Sequence, residues 1–279
     1  MATIWIWRVA HGLLGLVVGS FLNVVADRVP EKQSLLRPPS HCPKCGRRLA
    51  VRDLIPVVSY LWLRGRCRSC GEPIPPRVLL VELATGALFF FLAIVYGFSF
   101  ELLLPSVYTA ILVVIVTIDL ERHIIPNAIV LPSILFALLA AVGGIWLSTP
   151  TFGRYGFLWG LAASRGEVAL SPAQMGAISQ VLGGVTAFGI FFILWIISPG
   201  GIGAGDVKLA GFAGLVTAFP LAIATVFGSF ILGGVVSAVL LITRLATRKT
   251  AIPFAPFIAV TTFVIMVYGD SLLRWYLMR

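Results

Sequence analysis

Charge is what this sequence has least of. Only 11% of its 279 residues are charged, against roughly 25% in a soluble domain. Hydrophobic residues make up 59%, and mean hydropathy is +1.01. A soluble globular enzyme is excluded, and a polytopic membrane protein remains. The length allows roughly eight spans of about 20 residues and one modest polar insert. Acids are scarcer than bases, 11 against 21, so each acid near an apolar run is informative. The formal charge of +10 would suit a nucleic-acid partner, but the basic loops of a membrane protein account for it. No nucleic acid is expected.

Several familiar signatures are also missing. The first apolar stretch has no convincing small-residue cleavage site after it, so residues 1–26 read as the first transmembrane helix and not a removed signal. The glycine-rich stretch Gly203-Ala204-Gly205-Asp206-Val207-Lys208 lacks the Gly-Lys-Ser/Thr ending of a phosphate loop and the third glycine of a dinucleotide fingerprint. Haem attachment needs a His after the second Cys of a CxxC pair, and Gly46 and Gly71 stand there instead.

Apolar runs fall at 4–26, 78–97, 102–119, 127–147, 176–197, 207–219, 220–243 and 254–268. The 207–219 run is short and contains glycine, which suits packing inside a bundle. The expected fold is an all-α polytopic membrane protein of about eight transmembrane helices with a small cytoplasmic zinc-binding insert. Its parts are the first helix at 1–26, the insert at 27–77 and a helical membrane domain at 78–279. With the N-terminus outside, the loops at 27–77, 120–126, 198–206 and 244–253 are cytoplasmic. These loops and their edges hold 16 of the 21 basic residues, leaving Arg8, Arg154, Arg165, Arg274 and Arg279 outside. That bias fixes the orientation and puts both chain ends outside.

Two aspartates stand at ends of apolar runs. Asp119 closes Leu102–Ile118, and Asp206 follows the glycine-rich stretch and opens the next run. An ionisable group there is costly unless paired or hydrated, so the default reading is functional. Both fall on the cytoplasmic side, at comparable depth. Two carboxylates so placed suit a dyad that shares a proton and activates water. Gly203 and Gly205 remove side chains beside Asp206 and would let an extended peptide approach it; a flexible loop with Asp206 as an N-cap is the plainer alternative. Asp206 at a helix N-terminus is expected to be the base, with Asp119 as the acid. An interfacial Asp119 paired with Arg122 is the alternative for that residue. His123 reads as interfacial, and Glu82, about a turn into the second span, as a structural acid paired with Arg77 or a neighbouring helix.

All four cysteines lie in the insert, as Cys42-Pro43-Lys44-Cys45-Gly46 and Cys67-Arg68-Ser69-Cys70-Gly71. Two CxxC knuckles, each followed by Gly, read as a closed four-thiolate zinc site, structural because no ligand position stays open. Two disulfides are the alternative, disfavoured by a reducing compartment. An insert of this size is too small to rely on a core alone.

These residues together resemble the type IV prepilin leader peptidase family, the bifunctional peptidases and N-methyltransferases of pilus and type II secretion systems. The likeness runs through Gly19-Ser20-Phe21-Leu22-Asn23-Val24-Val25, Arg28 and Pro30. It continues through the knuckles with Asp53-Leu54-Ile55-Pro56-Val57-Val58-Ser59-Tyr60 and Leu63-Arg64-Gly65, then Asp119 with Ile125-Pro126-Asn127, then Gly203 to Leu209. The Gly-x-Gly-Asp element also resembles the wider group of intramembrane aspartyl proteases that includes presenilin and signal peptide peptidase. One departure is Pro253-Phe254-Ala255-Pro256, where the family often has Gly at the third position. The resemblance implies catalytic Asp119 and Asp206 and prepilin or pseudopilin substrates with a short basic leader ending in Gly. It implies residence in the bacterial inner membrane, and methylation of the new N-terminus from S-adenosylmethionine. No methyl-donor site is legible. A proton-coupled transporter would explain the acids but not the insert; a zinc-bearing assembly factor would explain the insert but not the acids.

Overall fold

The computed structural model describes residues 2–146, 170–198, 200–245, 247 and 250–277. Of the basic residues counted for orientation, Arg154, Arg165, Arg248, Lys249 and Arg279 lie outside the described residues. Nine α-helices are present among the described residues: α1 Ala2–Arg28, α2 Val58–Trp62, α3 Pro76–Tyr96, α4 Leu103–Arg122, α5 Asn127–Trp146, α6 Pro172–Ile197, α7 Ala204–Thr217, α8 Leu221–Ile242 and α9 Ala255–Leu277. The described residues form no strand, only isolated bridges at His41–Arg48 and Arg66–Pro73.

Among the described residues seven helices are long and apolar enough to cross a membrane: α1, α3, α4, α5, α6, α8 and α9. The eighth expected span is instead the 14-residue α7. At 1.5 Å per residue it reaches about 21 Å, short of a hydrocarbon layer of about 30 Å. Ten of its 14 residues, Val207 and Leu209 to Thr217, are buried. A short helix walled in by its neighbours needs no lipid-spanning length.

The chain forms two compact units, Met1–Ile118 and Asp119–Arg279. In the first, α1 lies against α3 through Gly12, Gly15, Gly19 and Gly86. A Cβ on Gly15 would stand 2.7 Å from the carbonyl oxygen of Thr85 and 2.9 Å from the Cα of Gly86. The backbones meet directly, as small residues permit in membrane helices. His11, buried on α1, bonds Ser106 Oγ at 2.9 Å.

In the second unit α6 and α7 meet in the same way. A Cβ on Gly183 would come within 2.7–2.8 Å of the Ala218 backbone. The turn after α7 is irregular: Ala218 is buried with φ +58. Its polar groups are nevertheless satisfied. The N–H of Phe219 donates to the Ser179 carbonyl at 2.8 Å, and Ser179 Oγ donates to the Phe219 carbonyl at 2.6 Å. Non-helical backbone at membrane depth is tolerated only when protein supplies such partners.

Gly183→Val should destabilise the chain by about 1–3 kcal/mol, the cost of overpacking a close-packed contact. Gly143, with nothing within 4 Å of an added Cβ, should accept Ala with no loss, since alanine favours helix. Thermal unfolding in detergent compares the two.

Candidate active site and metal centre

Asp119 sits in the last turn of α4 and is only 5% exposed. Its Oδ2 accepts the backbone N–H of Ala255 at 3.2 Å. Ala255 is the first residue of α9, so this N–H is one of the donors that a helix start leaves unsatisfied. The carboxylate thus meets the negative end of α4 and the positive end of α9 at once. A helix-end argument made from α4 alone is incomplete. Ala255, which stands where the family often has Gly, is fully buried, and its backbone reaches the aspartate.

Asp206 lies in the first turn of α7, outside the seven long spans, and is half-buried. Gly203 is the N-cap, not Asp206. Asp206 occupies the third helical position, and its Oδ2 reaches back to accept the Gly203 N–H at 3.1 Å. This is half a capping box, since glycine has no side chain to reciprocate. An N-cap alone should favour ionisation, yet the carboxyl is pushed up to about 6. Desolvation is the main cause, the Gly203 N–H opposes it, and the charge of Asp119 adds to it. The fold therefore brings the two acids within electrostatic reach of each other.

The connector between α4 and α5 holds this arrangement. Lys208 Nζ, one turn from Asp206's end of α7, donates to Asn127 Oδ1 at 2.8 Å. A Cβ on Gly205 would stand 2.9 Å from Ile125 Cβ. Gly205 is thus small partly because Ile125 occupies the adjacent space, whereas Gly203 is exposed with extended φ −75° and ψ 144°. Sequence reasoning quoted Ile125 and Asn127 but gave neither a role. His123 follows α4 in a left-handed conformation, φ +53, and is exposed. Of the two partners expected for Glu82, Arg77 or a neighbouring helix, it takes the second: its Oε2 accepts the N–H of Val57, the N-cap of α2, at 2.7 Å, while Arg77 pairs with Asp27 at 2.8 Å.

The four cysteines converge. Their sulfurs all lie within 4.8 Å of one another, with Cys42 Sγ and Cys70 Sγ 3.7 Å apart. Tetrahedral zinc with bonds of about 2.3 Å places its sulfurs about 3.8 Å apart, so the tetrad fits the metal. It does not fit a disulfide of about 2.05 Å, and all four thiols are free. The knuckles repeat one design. Gly46 N–H bonds the Cys42 carbonyl at 2.9 Å and Gly71 N–H that of Cys67 at 3.0 Å, with φ of +67 and +72. N–H groups of Cys70 and Ser69 point at the Cys67 sulfur and help hold its thiol down at about 6. Lys44–Glu72 and Arg47–Ser69 contacts tie one knuckle to the other.

Residues 13–96 match the bacterial peptidase A24 N-terminal domain, and residues 106–238 match the type IV leader peptidase family. The prepilin leader peptidase/N-methyltransferase of Bacillus subtilis is 31% identical over 265 residues, covering 95% of this chain and 96% of that protein. Its namesakes in Pseudomonas putida and Pseudomonas aeruginosa are each 31% identical, over 93% and 95% of this chain and 90% and 91% of their own lengths. No solved structure matches. With both halves matched and near-complete coverage of its relatives, the chain belongs to the type IV leader peptidase family.

Proposed function

We propose that the chain is a membrane aspartyl endopeptidase that removes the basic leader of type IV prepilins or pseudopilins after Gly. It does so at the cytoplasmic face of the bacterial inner membrane, and it then methylates the new N-terminal amine. The observation that carries the peptidase reading is the coupled pair itself. Asp119 and Asp206 come from separate helices, each held by one backbone N–H, and the charge of Asp119 acts on Asp206. The basic-residue bias supports the cytoplasmic side, and the printed names of the relatives support the methyl transfer. The zinc-binding insert at 27–77 and the membrane domain at 78–279 are the parts of the chain beyond its first helix.

At neutral pH Asp206, with a value of about 6, is mostly ionised and acts as base. It takes a proton from water as the water oxygen attacks the scissile carbonyl carbon. Asp119 gives its proton to the carbonyl oxygen, forming a gem-diol. In the second half Asp119 takes a hydroxyl proton back, Asp206 protonates the leaving amine, and the C–N bond breaks. Both carboxyls end as they began. Gly203 and Gly205, without side chains, form the edge along which the extended substrate lies.

Zinc, where bound, is structural: Cys42, Cys45, Cys67 and Cys70 close its coordination and leave no position for substrate. S-adenosylmethionine supplies the methyl group.

Asp119→Asn and Asp206→Asn should each lower leader cleavage by about 10²–10⁴-fold or more, the usual span of a general acid or base. The variants should remain in the membrane. Mass measurement of a prepilin after incubation with the purified enzyme reads the result, and near wild-type cleavage by either variant would sink the dyad.

The pH dependence has a definite sign. Protonation of Asp206 removes the base, so kcat/KM should fall as pH drops through about 6. Because the folded value lies above the ordinary 3.8, this group stabilises the fold at low pH. That contribution is lost as pH rises from about 4 through 6. Titration of the Asp206 carboxyl by infrared spectroscopy in Asp119→Asn should show a lower midpoint than wild type, since one cause of the rise is gone.

Metal analysis should find one zinc per chain. Replacing any one of the four cysteines by Ser should release it, because metal binding energy here is folding energy. Limited proteolysis of such a variant should then cut first between residues 27 and 77. A zinc-free wild type would defeat this reading.

A further inference from the structure

Among the described residues nothing covers one apolar face of the zinc-binding insert. Val51, Leu54, Ile55, Val58, Leu61 and Trp62 are all exposed, Val51 by 84% and Trp62 by 79%. Their spacing, i, i+3, i+4, i+7, i+10 and i+11, is that of one apolar stripe on a helix. The chain follows it as a 3-10 turn at Val51–Leu54 and then as α2. The residues in between are held the other way. Asp53 pairs with Arg68 at 2.7 Å, and Tyr60 Oη donates to the Ile74 carbonyl at 3.3 Å. The Gly65 N–H donates to the Tyr60 carbonyl at 2.8 Å. These bonds tie the segment to the body of the insert and leave the apolar stripe outward. Exposed apolar side chains grouped in this way mark an interaction surface.

The depth of the segment says what covers it. Val57, just ahead of α2, makes a tight turn with φ +62 and ψ −51, closed by a Val58 N–H bond to the Pro56 carbonyl at 2.6 Å. Such turns are rare and strained. Here the buried Glu82 carboxylate fixes it, accepting the Val57 N–H at 2.7 Å. Glu82 is the seventh residue of α3, so it lies about 9 Å along the axis from the first, Pro76. α3 has 21 residues and reaches about 32 Å, barely more than a hydrocarbon layer of about 30 Å. Pro76 therefore stands near the edge of that layer and Glu82 inside it. On the same stretch of α3, Leu80 and Leu83 are exposed, as lipid-facing side chains are. The bond to Glu82 draws the start of α2 to this level.

Charge completes the match. Residues 27–77 carry 11 basic and 4 acidic residues, and Arg52 and Arg64 stand exposed toward the two ends of the stripe. Exposed aliphatic side chains with a tryptophan and flanking arginines have the chemistry of the headgroup–acyl boundary. Basic side chains there meet the phosphates of anionic lipids.

We infer that the insert is seated in the bilayer surface through this face. Leu61 and Trp62 lie at the boundary between headgroups and acyl chains, and Arg52 and Arg64 lie on anionic headgroups. The insert is thereby attached to the membrane at a third point, besides α1 and α3.

The full chain with its zinc, one copy per nanodisc, is compared with Trp62→Phe, which keeps an aromatic ring. The difference in tryptophan emission reports Trp62 alone. In phosphatidylglycerol brominated at acyl carbons 6 and 7 that difference should fall about twofold, and less with bromine at carbons 11 and 12, as a depth of roughly 5–10 Å requires. In phosphatidylcholine with the same shallow bromines the quenching should weaken, because Arg52 and Arg64 lose their anionic partners. Emission that no brominated lipid quenches would overturn the inference, in favour of water if acrylamide quenches it and of a protein partner if acrylamide does not. Stronger quenching by the deep bromines would overturn the boundary placement. Equal quenching with both headgroups would overturn the role given to the arginines.

Discussion

The bond from the Ala255 N–H to Asp119 expresses the constraint on which the second unit depends. A carboxylate buried at a helix end within a membrane protein must find donors, and water is scarce there. The start of a helix is the one backbone feature that offers unsatisfied donors. Placing the start of α9 against the end of α4 therefore fixes where α9 begins. Asp206 solves the same problem locally, by folding back onto its own N-cap at Gly203. One aspartate is held by a distant segment and the other by its own turn. The first is thus set by tertiary packing and the second by local geometry.

The same shortage of water explains the turn after α7. A helix of 14 residues ends inside the bundle, which would leave the Phe219 backbone groups bare. Ser179 meets both of them. The close approach of α6 and α7 that makes this possible requires glycine on both sides, at Gly183 and Gly214. Short helix, glycine contact and serine latch are therefore one device. Removing any part of it exposes backbone that lipid cannot satisfy.

Much of this was legible in the sequence, for reasons of scarcity. In a chain with 11 acids among 279 residues, Asp119 and Asp206 stand out, and four cysteines in two knuckles admit few readings. The membrane character and the short, buried nature of the 207–219 run were visible in hydropathy and glycine content. What sequence could not show depends on which backbone groups meet across long separations. Ala255 is 136 residues from Asp119, and the only hint was a loop named for its Gly-to-Ala departure. The plainer alternative made Asp206 the N-cap, a position aspartate favours, but the helix starts earlier, at a glycine. Glu82 was expected to pair with Arg77 or a neighbouring helix. Arg77 instead pairs with Asp27, and a strained N–H at Val57 takes the carboxylate. Charge pairing is a poor guide where backbone donors compete at close range.

Acid–base chemistry needs two carboxyls of unequal proton affinity, and like groups do not differ without help. Helix ends would supply only about 0.3–1 kcal/mol each at exposed sites. Here they partly cancel, because α9 opposes α4 at Asp119. The larger lever at Asp206 is desolvation, moderated by a single N–H from Gly203. That N–H is available because Gly203 adopts an extended conformation just ahead of α7. Ile125 packs against the same turn where a Cβ on Gly205 would otherwise stand. The Gly-x-Gly-Asp spacing thus acts on the proton affinity of its own aspartate. Its first glycine provides the moderating donor, and its second admits the side chain of Ile125 beside the turn.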